Sequence, residues 1–247
     1  MKLFPEESAG APAPAGEGMP HDEAPVSTEA LMVLKSAKFR RWRQRVESHG
    51  NTILSVEVLS VISRRPGSWY AAFLDCVLLT PEGTRIARCL TLRGESVVIV
   101  PLLLCADDGA YYTLMVEQRC ICDGGLHAGF PAGGVEEGTE VAAMACRELR
   151  EETGLEVSPE DLVALTDGIV LNSSLSDDLV HFYGVRREVS RSWLDRFDNQ
   201  NGGLGEEGEH LKIRVRSLAD CSRMHTTSTL IGLTLLARTF GITVAAA

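Results

Sequence analysis

A chain of 247 residues with 45% hydrophobic content can bury a sizeable core, as one large domain or two small ones. Its formal net charge of -10 and pI near 5.1 exclude a surface that collects nucleic-acid phosphates nonspecifically; a small anionic substrate requires local arginines or a metal ion to offset its charge. No run reaches the roughly 18 apolar residues of a membrane span, no secretory h-region opens the chain, and seven cysteines form no paired framework, so the expected setting is intracellular, reducing and cytoplasmic, an organelle remaining open.

Residues 1–27 read as a disordered leader, rich in Ala, Pro, Gly and acids and too poor in apolar surface to offset chain entropy. Ser27 and Thr28 then stand ahead of Leu31, Met32, Leu34, Phe39, Trp42 and Val46, which predicts one capped amphipathic helix ending near His49 and Gly50. From residue 52 to 92, short Val, Ile, Leu and aromatic runs are broken by Arg65-Pro66-Gly67 and Pro81-Glu82-Gly83, which predicts an antiparallel meander. Residues 28–92 thus form an N-terminal helix-and-strand region, and residues 93–242 a second domain.

Two strands at 96–105 and 111–117 follow, joined by the turn Asp107-Asp108-Gly109. The closest cysteine pair, Cys120 and Cys122, is one residue too tight for a CxxC zinc knuckle and has no second pair, which argues against structural zinc. Beyond it come a helix at 140–153, apolar strands near 162–171 and 179–189, and an acidic Gly-rich loop at 201–209. A strand at 211–215 and a C-terminal helix from about 227 to 240 complete the series. Mixed strands with interspersed helices predict an α/β (α+β) fold, with a sheet covered on both faces.

The chemistry concentrates in the segment from Gly133 to Leu155. Glu148, Glu151 and Glu152 stand at i, i+3 and i+4, so a helix gathers them on one side, while Ala142, Ala145, Cys146 and Leu149 fall on the adjoining arc and pack against the sheet. Like charges so spaced repel by roughly 0.2 to 0.5 kcal/mol per pair, and a hard cation such as Mg²⁺ or Mn²⁺ would relieve that repulsion. Three acids alone also fit an ordinary solvated face. Gly133, Gly134 and Gly138 allow a loop to fold tightly against the helix, and Gly154 fits its end.

The residues from Gly133 through Arg147, Glu148, Leu149, Glu151, Glu152, Gly154 and Leu155 resemble the Nudix box, with Thr139 where the family usually has Glu and Glu140 one residue late. The resemblance implies a Nudix αβα sandwich in which Glu148, Glu151 and Glu152 bind the divalent metal, with the Gly133 carbonyl as a further ligand. It also implies that Arg147 orients an acid of the box. Shorter pieces, Phe39-Arg-Arg-Trp42, Arg93-Gly94, Glu117-Gln118-Arg119 and Phe130-Pro-Ala-Gly133, are similar to the ADP-ribose and ADP-sugar diphosphatase branch. In that branch an acidic loop outside the box supplies the general base, which here implies Glu207 or Glu206, with Glu209 in support.

Arg93 and Arg119 are candidate substrate contacts because guanidinium forks match phosphate oxygens, Arg119 standing one residue early against the family's spacing. Asp177 and Asp178 fit either substrate contact or turn capping. The implied activity is hydrolysis of a nucleoside diphosphate sugar (ADP-sugar, ADP-ribose or UDP-sugar) to a nucleoside monophosphate and a sugar phosphate, by a homodimer that uses neither nucleic acid nor membrane as partner. The alternatives are another nucleotide diphosphate, such as a dinucleotide or cap, or a non-catalytic nucleotide-binding module.

Overall fold

The computed structural model describes residues 27–63, 69–203, 211–224 and 226–244. The leader expected at 1–27 and the acidic residues Glu206, Glu207 and Glu209 therefore fall outside the described residues, apart from Ser27.

The single N-terminal helix expected from the sequence is two helices, α1 (Thr28–Lys35) and α2 (Ala37–Ser48). Ser36 breaks them with φ -70° and ψ 158°. Its hydroxyl donates to the Val33 carbonyl at 2.6 Å and accepts from the Phe39 N–H at 3.1 Å, so one side chain ends the first helix and caps the second. Strands β1 (Thr52–Ile62), β2 (Ala71–Leu79) and β3 (Arg85–Leu92) form an antiparallel three-stranded sheet, in the order expected. One of its faces packs Leu74, Cys76 and Leu92 against Val33 and Trp42 of the helices. β1 leaves Leu54, Leu59 and Ile62 exposed.

The second sheet begins with β4 (Glu95–Cys105) and β5 (Tyr111–Arg119), followed by β6 (Leu126–Gly129) and β7 (Ala132–Gly134). After α3 (Val141–Thr153) and a short turn of 3-10 helix come β8 (Leu162–Ala164), β9 (Ile169–Val170) and β10 (Leu179–Val189). The last elements are α4 (Arg191–Phe197), β11 (Asn201–Gly202), β12 (Leu211–Ser217), α5 (Leu218–Cys221) and α6 (Thr227–Phe240). Among the described residues the sheet has nine strands, with a path β11-β12-β5-β4-β10-β8 and β6, β7 and β9 pairing from its sides. β4 and β10 are parallel in register from Leu179 opposite Glu95 to Val189 opposite Cys105; the remaining pairs are antiparallel. The single strand expected at 162–171 is instead the two short pieces β8 and β9, interrupted where Gly168 takes a φ of 120°.

Alternation along β4 builds the sandwich. Val97, Ile99, Leu103 and Cys105 face the cluster that holds α3 and α4, while Val98, Val100 and Leu102 face the cluster of α5 and α6. Within α3, Ala145 and Leu149 are fully buried as the arc predicts; Met144 joins them, and Ala142 and Cys146 are only partly covered. Burying Leu149 alone contributes roughly 1.5 to 3 kcal/mol, enough to hold the helix to the sheet against the repulsion of its acids. Gly154, at φ 72°, closes the helix, its N–H donating to the Arg150 carbonyl at 2.7 Å.

Both sheets meet along β3 and the segment before β10. The Thr91 N–H donates to the Leu175 carbonyl at 2.7 Å, and the Asp177 N–H donates to the Thr91 carbonyl at 3.2 Å. All seven cysteines are unpaired, and no described helix is long and apolar enough to cross a membrane.

Candidate active site

A cavity of about 460 Å³ opens between α3 and the junction of the two sheets, a volume suited to a nucleotide-sized ligand. Glu148, Glu151 and Glu152 all line it, which is where the i, i+3, i+4 spacing and the burial of Leu149 together aim them. Glu152 is 8% exposed, and its Oε2 accepts the Ala132 N–H at 3.0 Å. Because β7 runs beneath the helix, Gly133 lies directly under Glu148: a Cβ at that position would sit 2.1 Å from the Glu148 carboxyl carbon. A methyl there would displace the Glu148 carboxylate; close approach is the constraint, since the φ of Gly133 is not in the left-handed region.

The C-terminal end of α3 is held in the same manner. The Gly203 N–H donates to the Glu151 carbonyl at 3.1 Å, and a Cβ on Gly202 would lie 1.9 Å from the Glu152 carbonyl oxygen. Arg147 reaches back along the helix, its Nη1 donating to Glu136 Oε1 at 3.1 Å, and both residues line the cavity. Glu140, one residue late in the box, is the N-cap of α3 without a side-chain capping bond.

Opposite the acids stand Tyr70, Arg93, Ser96 and Asp178. Arg93 stacks over the Tyr70 ring at 4.9 Å and donates through Nη2 to the Tyr70 hydroxyl at 2.5 Å. Its Nη1 lies 3.8 Å from Asp178 Oδ2, while the Ser96 hydroxyl donates to Asp178 Oδ1 at 2.9 Å. One carboxylate fixes the turn that carries Arg93: Asp177 Oδ1 accepts the N–H groups of Arg93 at 2.6 Å and Gly94 at 3.1 Å. Its Oδ2 receives Arg45 Nη2 of α2 at 3.2 Å. Burial raises the Asp177 carboxyl above its ordinary value, against the pull of those two N–H groups and of Arg45. Lys38, beside the same turn, is held below the usual lysine range, first by burial and further by Arg93 and Arg41, with Asp177 opposing.

The two arginines singled out by the sequence separate in space. Arg93 lines the cavity; Arg119, at the end of β5, donates to the Gly124 carbonyl in the turn to β6 and does not line it. Of the two aspartates, Asp178 lines the cavity and Asp177 is buried behind it. Tyr70 and Ser96 escaped the sequence reading, because neither belongs to a spacing pattern and both reach the cavity only through tertiary contact.

A family model for the NUDIX domain matches residues 95–229. The chain belongs to the Nudix family. It is 22% identical over 207 residues to Nudix hydrolase 14, chloroplastic, of Arabidopsis thaliana, covering 76% of this chain and 66% of that protein, so it spans just under two thirds of that relative's length. Among solved structures it is similar to an ADP compounds hydrolase, with TM-score 0.55 and 20% identity over 77% of this chain and 94% of the other; at that identity the likeness speaks for the fold.

Nudix hydrolases use divalent metal ions, and the residues here fit one. Three carboxylates share a cavity with a main-chain segment, Ala132 to Gly134, that lies against Glu148 at Gly133. The donors are hard oxygens, suited to a hard divalent cation.

Proposed function

We propose that this Nudix protein hydrolyses the pyrophosphate bond of a nucleoside diphosphate sugar, an ADP-sugar, ADP-ribose or UDP-sugar, to a nucleoside monophosphate and a sugar phosphate. The observation that carries the reading is the placement of Glu148, Glu151 and Glu152 on one wall of a cavity whose opposite wall presents Arg93. Such a cavity receives a substrate that is anionic at its centre and polar at its ends.

Glu148, Glu151, Glu152 and the Gly133 carbonyl would hold Mg²⁺ or Mn²⁺, which when bound offsets the pyrophosphate charge and makes phosphorus more electrophilic. Arg93 grips phosphate or sugar oxygens, pre-oriented by Tyr70 and by the Asp177-held turn. A water oxygen joins one phosphorus, the bridging oxygen leaves with the other, and the water proton passes to Glu207 or Glu206, supported by Glu209. Arg147 positions Glu136 at the rim.

The name of the structural relative, an ADP compounds hydrolase, favours an adenine nucleotide among these substrates. Replacing Glu152 by Gln is expected to lower metal-dependent release of AMP or UMP by on the order of 10³-fold while leaving the melting temperature within a few degrees. The assay offers ADP-ribose, ADP-glucose and UDP-glucose in turn with product identification, and unchanged turnover by the variant would refute the assignment.

The exposed Leu54, Leu59 and Ile62 of β1 support a homodimer formed through the three-stranded sheet. Light scattering at micromolar concentration tests it. Seven unpaired cysteines support an intracellular, reducing setting; the chloroplast belongs to the plant relative's name.

A further inference from the structure

The turn between β5 and β6 carries a second cluster of ligating groups, remote in character from the acids of α3. Residues 120 to 125 are closed by two main-chain bonds, Cys120 N–H to the Gly125 carbonyl and Gly124 N–H to the Cys120 carbonyl, each 2.8 Å, with Gly124 at φ 71°. Ile121 points fully into solvent. The residues on either side of it consequently face one another, and the sulfurs of Cys120 and Cys122 lie 3.1 Å apart.

Asp123 completes a set of three whose ligating atoms all lie within 4.8 Å of one another. The Gly125 N–H donates to Asp123 Oδ1 at 2.8 Å, which fixes the carboxylate, and His127 Nε2 stands 2.8 Å from its Oδ2. The sequence argument against zinc rested on the spacing of a CxxC knuckle and the want of a second cysteine pair. The fold supplies instead an aspartate and a histidine, one from the turn and one from the strand it enters.

We infer that Cys120, Cys122 and Asp123, with His127 hydrogen-bonded behind the carboxylate, form a binding site for Zn²⁺, separate from the divalent-metal wall of the cavity. Two sulfurs and one carboxylate oxygen, with a water in the fourth position and the imidazole of His127 holding the carboxylate, are the mixed donors that zinc takes in fourfold coordination, whereas Mg²⁺ takes oxygens. A tetrahedral site with Zn–S bonds of about 2.3 Å seats two sulfurs about 3.8 Å apart. The pair must open by roughly 0.7 Å from its present 3.1 Å, which the exposed Cys122 side chain can do by rotation. Because the thiolate is the ligand, uptake of the metal releases a proton from each thiol to solvent.

The site would brace the hairpin from its outer end. β6 leads from this turn through Phe130 and Pro131 into β7 and Gly133, and Arg119 is tied to the same turn by its bond to the Gly124 carbonyl.

The test uses the reduced full-length protein titrated with Co²⁺ and then Zn²⁺. A thiolate-to-cobalt charge-transfer band in the near ultraviolet that saturates at an equimolar ratio and is displaced by Zn²⁺ is expected; the all-oxygen site on α3 gives no such band. Cys120→Ser and Cys122→Ser should each abolish it, Asp123→Asn and His127→Ala should weaken zinc binding about tenfold or more, and Glu152→Gln should leave the band intact. Circular dichroism of each variant separates lost binding from lost folding. Absence of the band, its survival in Cys122→Ser, or formation of a Cys120–Cys122 disulfide in air with no zinc uptake by the reduced protein would overturn the inference.

Discussion

One wall of the cavity is a short stretch of α3, Glu148 to Glu152, whereas the facing wall gathers Tyr70, Arg93, Ser96 and Asp178 from four places in the chain. The first is set by the pitch of a single helix and by Leu149 beneath it. The second exists only because the three-stranded sheet docks on the nine-stranded one, and Asp177 holds that junction by accepting from Arg45, Arg93 and Gly94 at once. Local chemistry on one side and long-range assembly on the other imply different sensitivities to substitution.

The sharpest contrast is expected at Gly133. Replacement by Ala places a methyl in the Glu148 carboxylate, and a misplacement of that order should lower turnover about 10²-fold with little change in substrate affinity. A steady-state assay across metal concentrations checks it, and a variant as active as the parent would mean that the acid wall tolerates movement. Across the cavity, Arg93→Ala removes charge-assisted bonds of roughly 1.5 to 3 kcal/mol and should lower kcat/KM about tenfold to a hundredfold. Most of that loss belongs in KM, which substrate-saturation curves resolve.

Asp177→Asn probes the junction itself. The native carboxyl is raised by burial, so between its unfolded and folded values the folded protein holds the extra proton, and its stability declines as pH rises through that window. The Asn variant lacks this decline. Urea midpoints compared at acidic and neutral pH should therefore shift in favour of Asn as pH rises, while KM increases severalfold through a loosened Arg93 turn; parallel pH profiles would break the account. Smallest of all should be Arg119→Ala, under about twofold in kcat/KM, because that guanidinium is spent on the Gly124 carbonyl outside the cavity. A loss as large as that of Arg93→Ala would show that Arg119 serves the reaction by another route.

The same contrast decides what the sequence could disclose. The acids of α3, the glycine at each end, and strands such as β10 and the C-terminal helix follow from periodicity and turn chemistry, and they stand where that reasoning puts them. The break at Ser36 was hidden because apolar spacing continues across it, and only the two hydrogen bonds of its hydroxyl reveal the end of one helix. Tyr70 and Ser96 carry no spacing signature, and the split of Arg93 from Arg119, like that of Asp178 from Asp177, depends on which way the chain turns. The Cys120 and Cys122 turn shows a related gap: a rule for two cysteine pairs has nothing to say of an aspartate that the turn brings beside the two sulfurs.

The Asp177 tie bears on where this chain can be cut. The matched family region opens at residue 95, two positions after Arg93 and well after Tyr70. A fragment trimmed to that boundary would retain every acid of the box yet forfeit the guanidinium and phenol that confront them, and would strand a buried carboxylate whose counter-charge had been removed with α2. The portable motif and the working machine therefore have different left-hand edges, and grafts or truncations should respect the second.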